Sequence, residues 1–172
     1  MSEFWDLYDR ELHQLGRTIE RRGDTVPPTG EFHIVVNILS RNRTGNILIT
    51  KRHPDKPYGD MWEITGGSVV AGESPKNGAV RELYEETGLK AAADELLYMG
   101  QIIRERSGCI HFFYLYEGDF GREDIVLQRG ETTEFRIVSP EEIGRMTEAG
   151  EFLDFLFNRI RAVYGDIFFR HI

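Results

Sequence analysis

The sequence has a single cysteine, Cys109, among its 172 residues. One thiol can close no internal disulfide and build no cysteine-rich zinc site. Free cysteine usually packs as a small buried residue, and that role is expected of Cys109. No apolar run approaches the ~18 residues of a membrane-spanning helix. The opening Met-Ser-Glu-Phe-Trp-Asp has neither the basic start nor the apolar stretch of a secretory signal. An excess of positive charge is lacking too: 21 Lys and Arg against 29 Asp and Glu leave a net charge of −8. That balance argues against non-specific binding to nucleic acid or to an anionic membrane. It does not exclude a phosphorylated small molecule, because a bound cation can invert the local field. These absences lead us to expect a cytoplasmic enzyme that binds neither nucleic acid nor membrane, and they leave monomer and homodimer both open.

What is present has the proportions of an ordinary globular protein, 40% hydrophobic and 29% charged. The length suits one domain spanning residues 1–172 with a sizeable core. An N-terminal extension is expected over about residues 1–28, and C-terminal helices over about 139–166. Residues 3–8 and 17–22, around Gly16, read as a hairpin, although the spacing of Trp5, Leu7, Leu12 and Leu15 also suits a helix. The β-branched run from Phe32 to Leu39 reads as a buried strand. Asn42-Arg-Thr-Gly45 then turns the chain onto a second strand over 47–50. A loop from His53 to Asp60 leads to a short strand, Met61 to Ile64. Two further strand-like runs, 95–106 and 109–117, and a last one over 134–138 come later. Ser139-Pro140-Glu141-Glu142 is a helix start with an N-cap, a first-turn proline and early acids. Residues 151–164 read as an amphipathic helix, and the tail Ile167-Phe168-Phe169 packs on the same core or meets another subunit.

Residues 67–89 carry the chemistry. Ser74 is a good N-cap, and Pro75 loses nothing at the first helical position. Gly88 suits the position just past a helix end, so a helix is predicted over 75–87. Glu82, Glu85 and Glu86 share about 100° of its circumference, with Val80, Leu83 and Thr87 on another side for packing. Three carboxylates beside a glycine turn form an oxygen-only donor set, which suits Mg2+ or Mn2+ rather than zinc. Arg81 stands four residues before Glu85 and can brace a glutamate by a charge-assisted hydrogen bond. A solvated acidic helix face would have the same composition, so the case rests on spacing.

The spacing is Gly67-x5-Glu73-x7-Arg81-Glu82-Leu83-x-Glu85-Glu86-x-Gly88-Leu89. It resembles the Nudix box in every fixed position. The resemblance to Nudix hydrolases implies an α/β fold, with a mixed β-sheet between helices in an α/β/α sandwich and the box as its central loop-helix-loop. It implies Mg2+ or Mn2+ as cofactor, with Glu82, Glu85, Glu86 and the Gly66 carbonyl as ligands. The implied reaction is attack of water on phosphorus in a diphosphate linkage of a nucleoside diphosphate-X type molecule. Glu85 and Glu82 are candidate bases, with Arg81 as their brace and Glu73 held in its network. The downstream Glu131 and Glu134 are further candidate bases, and Glu134 equally suits a plain surface role. Lys51, Arg52 and Lys56 are candidate phosphate contacts, Arg52 foremost, and as readily ordinary surface cations. Trp62 and Tyr58 are candidates to stack on a base or wall the pocket, although a Trp beside a strand is more often a core residue.

The segments before the box (Glu31-Phe-His33, Gly45 to Arg52, Trp62-Glu63-Ile-Thr-Gly-Gly) and the N-terminal extension (Phe4 to Asp9, with Thr18-Ile19-Glu20-Arg21) resemble the isopentenyl-diphosphate-isomerase-like branch of the family, a resemblance that runs over roughly residues 4–140. The isomerase pattern has a cysteine and a histidine where this chain has Gly66 and Ser68, so the resemblance implies a hydrolase. His33 falls where isomerases carry a metal-binding histidine, but its companions are missing and a structural role is expected. A prenyl-diphosphate isomerase and a non-catalytic nucleotide-sensing module are the alternatives. Uptake of solvent deuterium into isopentenyl diphosphate, or binding without turnover, would separate them from a hydrolase.

Overall fold

The computed structural model describes residues 2–169, and side chains as far as Phe168. The chain opens with a two-stranded antiparallel hairpin, β1 (Phe4–Tyr8) and β2 (Gln14–Glu20). Of the two readings of this region, the hairpin is the one that forms. The strands β3 (His33–Asn42), β4 (Ile47–Arg52), β5 (Trp62–Glu63), β6 (Thr65–Ser68), β7 (Leu96–Arg104), β8 (Cys109–Gly118) and β9 (Thr132–Val138) make one mixed sheet. Its main order is β5-β4-β3-β8-β7, with β6 paired to β3 and β9 to β4. β3 and β8 run parallel from His33↔Cys109 to Asn42↔Gly118, and the remaining pairs are antiparallel.

A strand buried on both sides reads as a near-continuous apolar run, and β3 does so because its alternating residues enter two different cores. Ile34, Val36 and Ile38 pack with Ala79 and Leu83 of helix α1 (Pro75–Thr87). Leu39 joins Ile47, Ile49, Trp62 and Phe113 in a second cluster. That cluster is closed by helices α2 (Pro140–Glu148), α3 (Asp154–Tyr164) and α4 (Asp166–Phe169), which contribute Ile143, Leu156, Ile160 and Phe168. Helices therefore cover both sides of the sheet, giving the expected α/β/α sandwich. No helix among the described residues is long and apolar enough to cross a membrane.

The helix predicted over 151–164 starts later, at Asp154. Residues 151–153 instead pair with β5: Trp62 N–H donates to Glu151 O (2.8 Å), and Leu153 N–H to Trp62 O (3.0 Å). These bonds hold Phe152 extended and fully buried. Extended pairing satisfies the backbone here while seating an aromatic ring, and helical periodicity alone could not distinguish that from a first helical turn. Ile167 and Phe168 pack on the second cluster; the side chain of Phe169 lies outside the described residues.

The hairpin is fastened across the molecule. Tyr8 and Phe32 exchange backbone hydrogen bonds at 2.8 and 2.9 Å. Ala71 N–H donates to Phe4 O and Gly72 N–H to an Asp6 carboxylate oxygen, both at 2.7 Å. The Trp5 indole stacks on the His33 ring at 3.8 Å and 7°. His33 in turn lies 3.1 Å from the buried Cys109 sulfur. Burial, helped by His111 and Arg21, holds the His33 pKa down to about 4, so the ring is neutral. Burial likewise raises that of Cys109 and keeps it a thiol.

Candidate active site

β6 leads directly into the loop before α1, and two glycines let the three pieces touch. A Cβ at Gly66 would stand 2.5 Å from the Val36 carbonyl oxygen of β3, and one at Gly67 would overlap the Glu82 carboxylate. Ser74 Oγ accepts from the Asn77 N–H (3.2 Å), and Gly88 adopts φ 76° with its N–H on Tyr84 O. Local chemistry thus fixes both ends of the helix at the predicted residues, with Leu83 and Thr87 buried and the carboxylates turned toward β6.

The result is a cleft of about 290 Å³ lined by Gly66, Gly67, Glu82, Glu85 and Glu86. The three glutamates are not equivalent. Glu85 is 43% exposed, Glu82 is 14% exposed, and Glu86 is buried at 4%. Arg81 binds the first two and more. Its five N–H donors go to Glu73 (3.1 and 3.0 Å), Glu82 (2.8 Å), Glu85 (3.0 Å) and the Ser68 carbonyl (3.0 Å). Glu73 thus stands in the network of Arg81. Burial opposes charge on Arg81, but bonds to Glu73 and Glu82 outweigh it and raise its pKa.

Among the described residues no cation is hydrogen-bonded to Glu86; Lys56 only lies near enough to favour its charge. The hydrogen bond that Glu86 accepts is a long one, 3.4 Å, from the Gly66 N–H. Burial, and then the nearby Glu63 and Glu82, raise its pKa well above the carboxylate range. Burial raises Glu82 as well, although Arg81 pulls the other way. Among the described residues no three His, Cys, Asp or Glu side chains converge into a ready-made metal cage. Mg2+ does not require one: it binds through one or two carboxylates and fills its octahedron with water and phosphate oxygens. An all-oxygen cleft holding a buried carboxylate with no hydrogen-bonded cation among the described residues fits such an ion.

Residues forecast before the box divide sharply. Arg52 lines the cleft, but both Glu63 carboxylate oxygens accept from its Nη1 (2.8 and 2.6 Å), and its Nε donates to Pro57 O (2.8 Å). Lys56 lines it too, hydrogen-bonded to Glu131, which is also a cleft residue. Lys51, Trp62 and Glu134 are absent from the lining. Consecutive strand residues point to opposite sides, so Lys51 turns away from Arg52. Lys51 donates to Glu134 (2.8 Å) and sits 5.9 Å from the Trp62 ring, while Trp62 itself is buried in the second core. The structure therefore takes these three out of the cleft. Reasoning from sequence missed Glu63, Gln128, Glu3 and Arg21. Glu63 was within reach, since alternation sends it to the side opposite a buried Trp62. The last two lie more than 40 residues before the box, and no spacing rule connects them to it.

A second cavity of about 230 Å³ shares Val35, Arg52 and Gly66 with the cleft. Tyr58 and Phe155 pack on each other there, ring centroids 5.4 Å apart and tilted by 58°, and Asn37 and His111 also line it. Asn37 Nδ2 donates to Phe112 O (3.4 Å) and lies 3.2 Å from His111 Nδ1. Burial, with Arg104 adding to it, lowers the His111 pKa to about 4. A neutral imidazole that accepts at Nδ1 carries its proton on Nε2.

A family model described as NUDIX domain matches residues 31–156. The chain belongs to the Nudix family. This Nudix chain is 30% identical over 161 residues to an uncharacterised Nudix hydrolase of Listeria monocytogenes, covering 90% of each. It is 36% identical over 112 residues to the CTP pyrophosphohydrolase of Escherichia coli, covering 64% of this chain and 78% of that one. A crystal structure from Deinococcus radiodurans superposes with a TM-score of 0.76 at 21% identity, over 94% of this chain and 99% of the other, and shows the same fold. The chain is a Nudix hydrolase. The resemblance of its flanking segments to the isomerase-like branch gains nothing from these matches.

Proposed function

We propose that this Nudix hydrolase cleaves the diphosphate linkage of a nucleoside diphosphate-X compound, using Mg2+ or Mn2+ held by Glu86, Glu82, Glu85 and the Gly66 carbonyl. The observation that carries the reading is Glu86, a buried carboxylate lining an open cleft, with a raised pKa and no cation in hydrogen-bond contact among the described residues. A divalent ion bound there would neutralise phosphate oxygens and lower the cost of charging Glu86.

The chain's own groups account for the rest. Arg81 holds Glu82 and Glu85 in place. The exposed Glu85, or Glu131 in the same cleft, takes a proton from water as the water oxygen bonds to phosphorus and the bridging P–O bond breaks toward the leaving phosphate. The adjoining cavity, with Tyr58 and Phe155 as walls, offers stacking surface for a base. Its Asn37 and His111 supply an acceptor and a donor for an amide-like edge.

A panel of nucleoside di- and triphosphates, ADP-ribose, nucleotide sugars and prenyl diphosphates, assayed with Mg2+ or Mn2+, tests the proposal. Turnover of at least one nucleotide, reduced about 10²-fold in Glu85→Gln, is the expected result. If nothing is cleaved, or the variant matches the parent enzyme, the reading is wrong.

A further inference from the structure

Four cations line the carboxylate cleft: Arg21, Arg52, Lys56 and Arg81. Three are committed to carboxylates of the domain itself. Arg81 has spent all five donors, Arg52 holds both oxygens of the half-buried Glu63 through Nη1 and Pro57 O through Nε, and Lys56 is on Glu131. Arg21 differs. Only its Nη1 is engaged, with Glu3 at 3.2 and 3.1 Å, longer than the 2.7–2.9 Å of a tight charge-assisted bond. Its Nε and Nη2 donors have no acceptor among the described residues, and its side chain is 52% exposed. Those free donors form the planar edge that recognises a phosphate in bidentate fashion.

Arg21 is nevertheless well placed. Its backbone N–H donates to Glu3 O (2.8 Å), and its guanidinium lies 5.9 Å from the Trp5 ring. Glu3 is tethered in turn by the Trp5 indole N–H (3.0 Å), and Trp5 stacks on His33 in β3. The hairpin is fastened to the loop before α1 through Ala71 and Gly72. An aromatic stack rooted in the sheet thus carries an arginine to the mouth of the cleft. It comes from a segment outside residues 31–156, the part that matches the family.

We infer that the N-terminal hairpin completes the substrate site, with Arg21 binding a phosphate group of the substrate and Glu3 as the internal anion it gives up on binding. This rests on the cleft being the diphosphate site.

The test is calorimetric titration of the full chain with imidodiphosphate, a cleavage-resistant diphosphate, at saturating Mg2+. Arg21→Ala should weaken binding by about tenfold, the loss of charge-assisted hydrogen bonds, and flatten its dependence on NaCl. Arg21→Lys should recover only part of that, since it restores charge without the fork. Glu3→Gln removes the competitor and should leave affinity equal or up to about threefold tighter. If the hairpin only props the loop, Arg21→Ala and Glu3→Gln will weaken binding alike; that result, or an Arg21→Ala affinity within twofold of the parent, overturns the inference. A parent protein that does not bind imidodiphosphate overturns the diphosphate reading beneath it.

Discussion

The box helix and the N-terminal hairpin each bring one arginine and its carboxylates to the same cleft, and hold them in opposite ways. Arg81 is sunk among five acceptors with no donor to spare. Arg21 sits at the rim with most of its fork unused. A guanidinium whose donors are all satisfied cannot also bind substrate without first releasing a partner. Saturation therefore marks a group that shapes the site, and an unspent edge marks one that can meet a ligand. The same contrast separates Glu85, exposed and poised over the cleft, from Glu86, buried beneath it.

The largest effect should come from breaking the saturated side. Arg81→Ala leaves Glu73 and Glu82 without their counterion and lets Glu85 swing. We expect turnover to fall by about 10³-fold, and stability by on the order of 2 kcal/mol, or roughly 4–8 °C in a chain of this size. Steady-state kinetics and a thermal melt check both; a variant that melts lower yet turns over normally would make Arg81 a purely structural brace. Next comes Glu85→Gln, with kcat reduced about 10²-fold, as for loss of a general base, and an unchanged melting temperature because the side chain is solvated.

Glu86→Gln should separate stability from function. Its raised pKa means that the folded, metal-free protein holds a proton that the unfolded chain loses near pH 4.5. Between those two values the native state binds more protons, so stability falls as pH rises from about 4.5. The amide removes that penalty, so metal-free Glu86→Gln should melt higher than the parent at pH 7. It should also lose the gain in melting temperature that Mg2+ gives the parent, a gain that grows with pH because the ligand must be deprotonated. Differential scanning fluorimetry from pH 5 to 8, with and without Mg2+, measures both. The smallest effect belongs to Lys51→Ala, outside the cleft. Activity should stay within about twofold and stability within about 1 kcal/mol, as for a partly exposed ion pair; a large rise in KM would return Lys51 to the substrate.

Local signals carried the box helix well. Ser74, Pro75 and Gly88 act on their immediate neighbours, so its boundaries could be read from the chain and match the observed Pro75–Thr87. The strand β3 was legible through its apolar stretch, where Ile34, Val36, Ile38 and Leu39 are buried in two cores, but not in its buried polar residues Asn37, Ser40 and Arg41. Long-range pairing was less so. The extended stretch 151–153 depends on β5 for its partners, and its residues taken alone suit a helix as well. Lys51 and Arg52 show a finer limit: two adjacent cations look alike until the strand assigns one to each side. Glu3 and Arg21 reach the cleft through contacts made across the fold, Trp5 on His33 and Phe4 and Asp6 on the loop before α1, none of which leaves a trace in the spacing of the sequence.

That stack gives the molecule a built-in optical gauge. The chain has two tryptophans, and Trp62 is buried in the second core and does not line the cleft. Trp5 touches Glu3 through its indole N–H and Arg21 through its ring face. An anion that draws Arg21 away from Glu3 changes the electrostatic surroundings of one fluorophore and leaves the other untouched. The emission of Trp5, isolated by comparison with Trp5→Phe, should therefore follow occupancy of the cleft mouth in real time, without any added label.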